Sequence, residues 1–172
     1  SSYLDMVCDP AGHDAAWSPA LRTRTDFLPL TARAVTLGYR DGPCWFRFRL
    51  LNAAPLPKQA VLAIPFALLD EIDVYQADGT GNVQHFRAGD AVPFRERPLA
   101  NAYPVFPLAV AAHGATEVYV RVRTTSPFAV PFRLTSLQGF LRDHTRHTMI
   151  ISAFYGVTGG LLAIPVAGTV AI

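Results

Sequence analysis

The sequence predicts an all-β fold, an antiparallel jelly-roll β-sandwich, followed by a C-terminal helix. Three observations carry this. Between residues 35 and 137, short runs of alternating apolar and polar side chains recur, punctuated by Gly, Pro, Asp and Asn. Helical periodicity is almost absent before residue 138. The runs number about eight or nine, enough for the two packed sheets of a sandwich. A chain of 172 residues is also long enough for one domain with a real hydrophobic core.

Residues 1–40 read as irregular, with a turn at Asp9-Pro10-Ala11-Gly12 and a short strand over 35–38. The stretch GPCWFRFRLLN, residues 42–52, leaves a turn dipeptide and then alternates. Phe46, Phe48 and Leu50 face a core, whereas Trp45, Arg47 and Arg49 face the other way. A strand over 60–64 follows, bounded by Pro55, Pro57 and Pro65. The run 72–75 alternates and enters Asp78-Gly79-Thr80-Gly81-Asn82, a hairpin turn with its return strand over 83–86. Beyond a bend at Gly89-Asp90 lies a strand over 105–110. EVYVRVRT, residues 117–124, is the cleanest alternation, with Val118, Val120 and Val122 inward and Tyr119, Arg121 and Arg123 outward. A strand over 132–137 closes the set.

The character changes at residue 138. QGFLRDHTRH, residues 138–147, is polar and helix-compatible. The next 25 residues, 148–172, carry no charge, and a membrane-spanning helix needs roughly 20 apolar residues. Their glycines and Pro165 lower helix propensity in water but are tolerated within a bilayer. The expected organisation is a jelly-roll domain at 1–139, then a juxtamembrane segment and the start of a first transmembrane helix at 140–172. Contact with the membrane is expected through residues 148–172, within a longer membrane protein.

Composition removes several function classes. The net charge is only +2, with scattered arginines and one lysine, Lys58, so the clustered charge that nucleic-acid binding needs is missing. Hydrophobic residues make up 51% and charged residues 16%. No HExxH, GxSxG or CxxC motif occurs. His144 and His147 stand three apart in a solvated juxtamembrane turn, and the oxygens of 78–82 belong to a plain hairpin, not a calcium loop. A glycan hydrolase needs two carboxylates about 5–9.5 Å apart. Asp70, Glu71 and Asp73 form the sole acidic cluster, without an enclosed site. The expectation is therefore no enzyme, no cofactor and no metal site. Cys8 and Cys44 read equally as one disulfide or as two small buried thiols.

The outward faces carry more information. Trp45, Arg47 and Arg49 share one face, as do Asp73 and Tyr75, and Tyr119, Arg121 and Arg123. Aromatic rings stack on the apolar faces of sugars, and Arg or Asp bonds hydroxyls and carboxylates. The same residues would serve equally for cross-strand stacking and ion pairing, worth about 0.5–1 kcal/mol each. Arg49 reads as solvated.

Several stretches, in order, resemble a known family: LDMVCDPAG, LGYRDGPCWFRFRLLN, LLDEIDVY, PFRERP, VFPLAV, EVYVRVRTTSPFAVPFRL and FYGVTGGLL. Within them stand W-x-R-x-x-L-x-N, L-D-x-x-x-x-Y, P-F-x-x-R-P and V-Y-x-R-V. The chain is similar over nearly its whole length to the second type of extracellular sensor domain of bacterial seven-transmembrane receptors with diverse intracellular signalling modules. The resemblance implies a periplasmic jelly roll like those of carbohydrate-binding modules, ahead of a seven-helix membrane region in the inner membrane. It also implies a histidine kinase or diguanylate cyclase output elsewhere in the protein. It marks Trp45, Arg47, Asn52, Asp70, Tyr75, Gly89, Arg97 and Arg121, with Asn52 and Gly89 serving turns and Asp70 bridging a loop. Cys44 departs from the pattern where an aromatic is usual.

Residues and resemblance together lead to a ligand-sensing domain binding a carbohydrate-like or other small ligand. Its expected contacts are Trp45, Arg47, Asp73, Tyr75, Arg97, Tyr119 and Arg121. The alternative is a module that docks another protein or forms a homodimer without sensing a small molecule.

Overall fold

The computed structural model describes residues 4–9, 16–30, 34–143, 149, 152, 153 and 155. The chain divides into two compact units, Ser1–Thr135 and Ser136–Ile172. In the first unit the strands are β1 (Leu4–Cys8), β2 (Leu28–Leu30), β3 (Ala34–Gly38), β4 (Cys44–Asn52), β5 (Lys58–Ala63) and β6 (Glu71–Ala77). They continue as β7 (Val83–Ala88), β8 (Val105–Val110), β9 (Gly114–Arg123), β10 (Phe128–Pro131) and β11 (Arg133–Ser136). A single-turn helix, α1 (Ala20–Thr23), lies between β1 and β2.

Pairing is antiparallel and nested. β3 pairs with β10, β4 with β9, β5 with β8 and β6 with β7. A long hairpin rolled across two sheets pairs its strands in this outermost-first order, and that nesting is the jelly roll. One sheet runs β2-β1-β4-β9-β6-β7; facing it stand β10-β3 and β11-β5-β8. The all-β jelly-roll expectation therefore holds.

The core follows from the alternation. Phe46, Ile72, Val74, Val118, Val120 and Val122 are buried from the six-stranded sheet, against Leu62, Phe106, Leu108 and Phe128 from the opposite side. Phe46 stacks on Phe128 at 6.1 Å and meets Phe132 edge-on at 4.8 Å. Each fully buried aliphatic or aromatic side chain of this kind contributes about 1.5–3 kcal/mol. One polar bridge crosses the core: Gln76 on β6 donates to the Ala109 carbonyl at 2.6 Å and accepts the Ala109 N–H at 3.1 Å. Its amide thereby supplies the partners a neighbouring strand would.

Two sequence expectations are corrected. The described residues among 1–40 are not all irregular: β1 and β2 extend the six-stranded sheet beyond β4, in segments too short to show alternation. The strand expected over 132–137 is present as β11, but a further strand, β10, precedes it where none was expected. β10 pairs with β3, whereas β11 joins the β5-β8 sheet, the switch falling at Phe132.

The turns match their residues. Asp78 accepts from the N–H groups of Thr80 and Asn82 and from the Thr80 hydroxyl, closing the hairpin. Asn52 donates to the carbonyls of Leu56 and Ala111 and accepts the Ala54 N–H. Asp70 accepts the N–H and hydroxyl of Thr125 at 2.7 and 2.8 Å. The Thr125 N–H holds its carboxyl below the ordinary carboxylate range. Gly89 sits at φ +127, and a Cβ there would lie 2.3 Å from the Asp70 carbonyl oxygen. Only glycine fits that approach.

Cys8 and Cys44 stand directly opposite on β1 and β4 and form a disulfide. The bond ties the first strand to the fourth across 36 residues of sequence.

In the second unit, residues 137–143 are helical. The Ser136 hydroxyl accepts the Gly139 N–H at 3.0 Å, an N-cap bond for that helix. The remainder of the expected helix over 138–147, with His144 and His147, lies outside the described residues. So does nearly all of the apolar stretch 148–172. Among the described residues, no helix is long and apolar enough to cross a membrane.

Candidate functional site

The outer face of the six-stranded sheet is built in two cross-strand rows. Val7, Trp45, Arg121, Asp73 and Arg87 lie opposite one another in succession across β1, β4, β9, β6 and β7. Asp5, Arg47, Tyr119, Tyr75 and His85 form the parallel row beside it. Alternation puts these ten side chains on the face away from the core. Six of the seven expected contact residues come together there through strands remote in sequence: Trp45, Arg47, Asp73, Tyr75, Tyr119 and Arg121.

Half of this face is not a surface. The expectation that Trp45 and Tyr119 point outward to a ligand is corrected: they are 0% and 1% exposed. The N-terminal segment lies over them, with Leu21 of α1 and Phe27 closing a second apolar cluster. Trp17 packs on the same group, 6.4 Å from the rings of Tyr75 and Tyr119. Arg22 pairs with Glu117 at 3.0 Å, and Glu117 accepts the Tyr119 hydroxyl at 3.3 Å. Burial, then the neighbouring Glu117 charge, pushes the Tyr119 phenol up to about 12. Arg47 is spent internally, donating to Asp5 at 2.9 Å while its guanidinium lies 4.4 Å from the Phe27 ring centre.

The other half, over β6 and β7, is open. Asp73, its side chain 9% exposed, accepts from Arg121 Nη1 at 2.9 Å on one oxygen. On the other it meets His85 Nε2 at 2.9 Å and Arg87 Nε at 3.3 Å. Arg121 also reaches Glu71 at 3.4 Å. A carboxylate buried this far costs several kcal/mol in desolvation, and two hydrogen bonds, from Arg121 and His85, together with the Arg87 ion pair offset it. Arg121 works through Nη1 alone; its Nε is buried with no partner among the described residues.

Aromatic rings adjoin this charge cluster. Tyr75 stacks on Trp45 at 5.8 Å and on His85 at 4.3 Å, the latter pair tilted by only 2°. Burial and then the Asp73 charge raise the pKa of the Tyr75 phenol. The stack ends in solvent at His85, whose side chain is 40% exposed.

Arg97 stands apart. It donates to the Gly89 carbonyl at 3.0 Å and lies over Phe94 at 5.3 Å. Among the described residues it makes no hydrogen bond or ion pair with the Asp73 group. Sequence reasoning also missed His85, Arg87, Glu71 and Trp17. The available signal was His85-x-Arg87, an i, i+2 pair on the return strand of a hairpin whose first strand already carried Asp73 and Tyr75.

A jelly roll with an Arg-, carboxylate- and aromatic-lined outer face defines the class as a β-sandwich domain. The family model for the 7TMR-DISM extracellular 2 domain matches residues 5–136, and the chain belongs to that family. Its members are periplasmic sensor domains of seven-transmembrane receptors in bacterial membranes. No curated protein matches the chain. Among solved structures, TmCBM61 in complex with β-1,4-galactotriose is similar at 10% identity and a TM-score of 0.35, over 79% of this chain and 86% of that one. The exo-β-1,3-galactanase of Phanerochaete chrysosporium is similar at 10% identity and a TM-score of 0.31, over 59% of this chain. This chain spans 22% of the galactanase.

Proposed function

We propose that the chain senses a small, carbohydrate-like ligand at the open β6–β7 end of the outer face and relays that event to a membrane region. The observation that carries the reading is the Asp73 group. It sets Arg121, Arg87 and His85 around one nearly buried carboxylate, beside the exposed end of a four-ring aromatic stack. Preorganised donors next to an aromatic ring are what a polyhydroxylated ring needs for orientation and stacking. Arg121 Nε adds a buried donor without a partner among the described residues, an arrangement that costs about 1–3 kcal/mol unless a water or ligand answers it.

Relay follows from linkage. The ligand favours whichever arrangement of the sheet it binds better, and shifts the balance only by that difference in affinity. A sensor body ending near residue 139 passes the shift through the following helix to the uncharged segment 148–172, and thence to a kinase or cyclase output.

The test is a thermal-shift screen of sugars, glycan fragments and organic acids against the chain. A ligand raises the melting temperature in proportion to the logarithm of its excess over Kd, and His85→Ala abolishes the rise without lowering the unliganded melting temperature by more than a few degrees. Exposed Leu51 and Leu56, 74% and 72% accessible, favour a second reading in which this corner docks another protein or a second copy. Sedimentation as a monomer at high concentration counts against it.

A further inference from the structure

The corner formed by Tyr75, His85 and Arg87 has a charge preference that the sensing role alone does not specify. Arg87 directs Nε to Asp73, and its side chain is 58% exposed. Neither of its Nη groups has a partner among the described residues, so the outer edge of the guanidinium presents a free two-donor fork. Such a fork matches a carboxylate bidentately.

His85, two residues earlier on the same strand, is its neighbour on the same face. Because Nε2 faces the Asp73 carboxylate, the neutral ring carries its proton there and presents Nδ1 as an acceptor. One ring face is covered by Tyr75; the exposed remainder lies at the end of the stack. β7 is the last strand of its sheet, so no further strand covers this corner on that side.

The charges sharpen the point. Asp73 is saturated by Arg121, His85 and Arg87, and Glu71 faces Arg121. Arg123, directly opposite Glu71 on β9, is exposed. Arg123 acts in turn on the Asp70 carboxylate, so three guanidinium groups answer three carboxylates, and what stays open to a ligand's charge is the outer fork of Arg87. A neutral sugar would use the hydrogen bonds but not the charge of that fork.

We infer that this corner takes an acidic saccharide, a sugar ring bearing a carboxylate. The carboxylate sits on the outer fork of Arg87, a ring hydroxyl donates to His85 Nδ1, and the apolar sugar face lies on the imidazole. This inference rests on the ligand-sensing reading above and narrows it.

Isothermal titration calorimetry of the whole chain in detergent, with glucuronate and glucose as probes, tests it. The two sugars differ only in a carboxylate replacing a hydroxymethyl group. Glucuronate binds at least tenfold more tightly than glucose, and raising NaCl from about 50 to 500 mM weakens only glucuronate, because the exposed pair is screened. Arg87→Gln, at a position 58% exposed, lowers the melting temperature by no more than a few degrees and removes the preference. His85→Ala weakens both sugars. Equal affinities for the two sugars, or a preference that survives Arg87→Gln, overturn the acidic assignment while leaving ligand sensing intact. Acetate binding as tightly as glucuronate reduces the corner to a general anion contact and also overturns it. If neither sugar binds, the saccharide reading falls together with this inference.

Discussion

Trp45 and Tyr75, on strands separated by β9, stack with ring centres 5.8 Å apart and planes 29° from parallel. One belongs to a sealed apolar cluster and the other leads through His85 to solvent. The covered N-terminal cluster and the open β6–β7 corner are therefore one continuous ring stack. Close-packed groups of this kind transmit displacement because few voids absorb it.

Removing the buried ring tests which end of the stack is structural. Trp45→Ala leaves a cavity beneath Leu21 and Phe27 and costs about 3–5 kcal/mol. Urea unfolding reads that loss as a lower midpoint with an unchanged slope. A variant that stays as stable as the parent contradicts the burial of Trp45.

Asp73 is the keystone of the charge group. Asp73→Ala strands the Arg121 guanidinium, 10% exposed, without its closest counter-charge and costs about 3–5 kcal/mol. Asp73→Leu combined with Arg121→Met removes both charges and recovers most of the loss. A double-mutant cycle in urea measures the difference, and strict additivity of the two single losses contradicts the pairing.

Much of the jelly roll was legible because alternation is a local signal. Phe46, Val118, Val120 and Val122 announce one face at period two, and turn residues at 52, 78–82 and 89 announce where the strands stop. The outer face was half legible for the same reason. Period two says which side a residue is on, not what covers that side. Trp45 and Tyr119 alternate like exposed residues, yet Leu21 and Phe27, contributed by a segment without periodicity, bury them. The Cys8–Cys44 bond was equally hidden, since β1 is placed beside β4 by long-range pairing alone. Asp73 and Arg121 were visible individually; His85 and Arg87 gained meaning only once β7 was registered against β6.

Gly89 holds the exit of β7 against the Asp70 carbonyl. Gly89→Ala forces a Cβ into 2.3 Å contact at φ +127, at a cost of at least about 2 kcal/mol. The melting temperature falls, and the Asp70–Thr125 and Arg97–Gly89 bonds loosen with it. Amide exchange at Thr125 accelerates more than exchange in β5. Unchanged protection at Thr125 contradicts a shared knot.

The disulfide anchors the strand that leads into the covering segment. Replacing both cysteines with alanine frees a 36-residue separation in the unfolded chain and lowers stability by about 3 kcal/mol. The loss is uneven. Amides at 17–27 exchange faster relative to those of β6, because β1 is held only by β2 and β4. A uniform change across the domain contradicts the anchoring role.

Alkaline pH acts on the sealed half of the face. The Tyr119 phenol lies at about 12 because burial, and then Glu117, disfavour its anion, and Tyr75 is raised for related reasons. The folded state thus holds these protons more tightly than the unfolded chain, whose tyrosines ionise near 10. The advantage is fully present below about pH 10. Above that the unfolded chain sheds protons that the folded state keeps, so stability falls as pH rises and the advantage is gone beyond about pH 12. Melting temperatures measured from pH 8 to 11.5 stay level at first and then drop. Tyr119→Phe begins less stable, having lost its bond to Glu117, but its curve falls less steeply above pH 10. Parallel curves for the two proteins contradict a raised Tyr119.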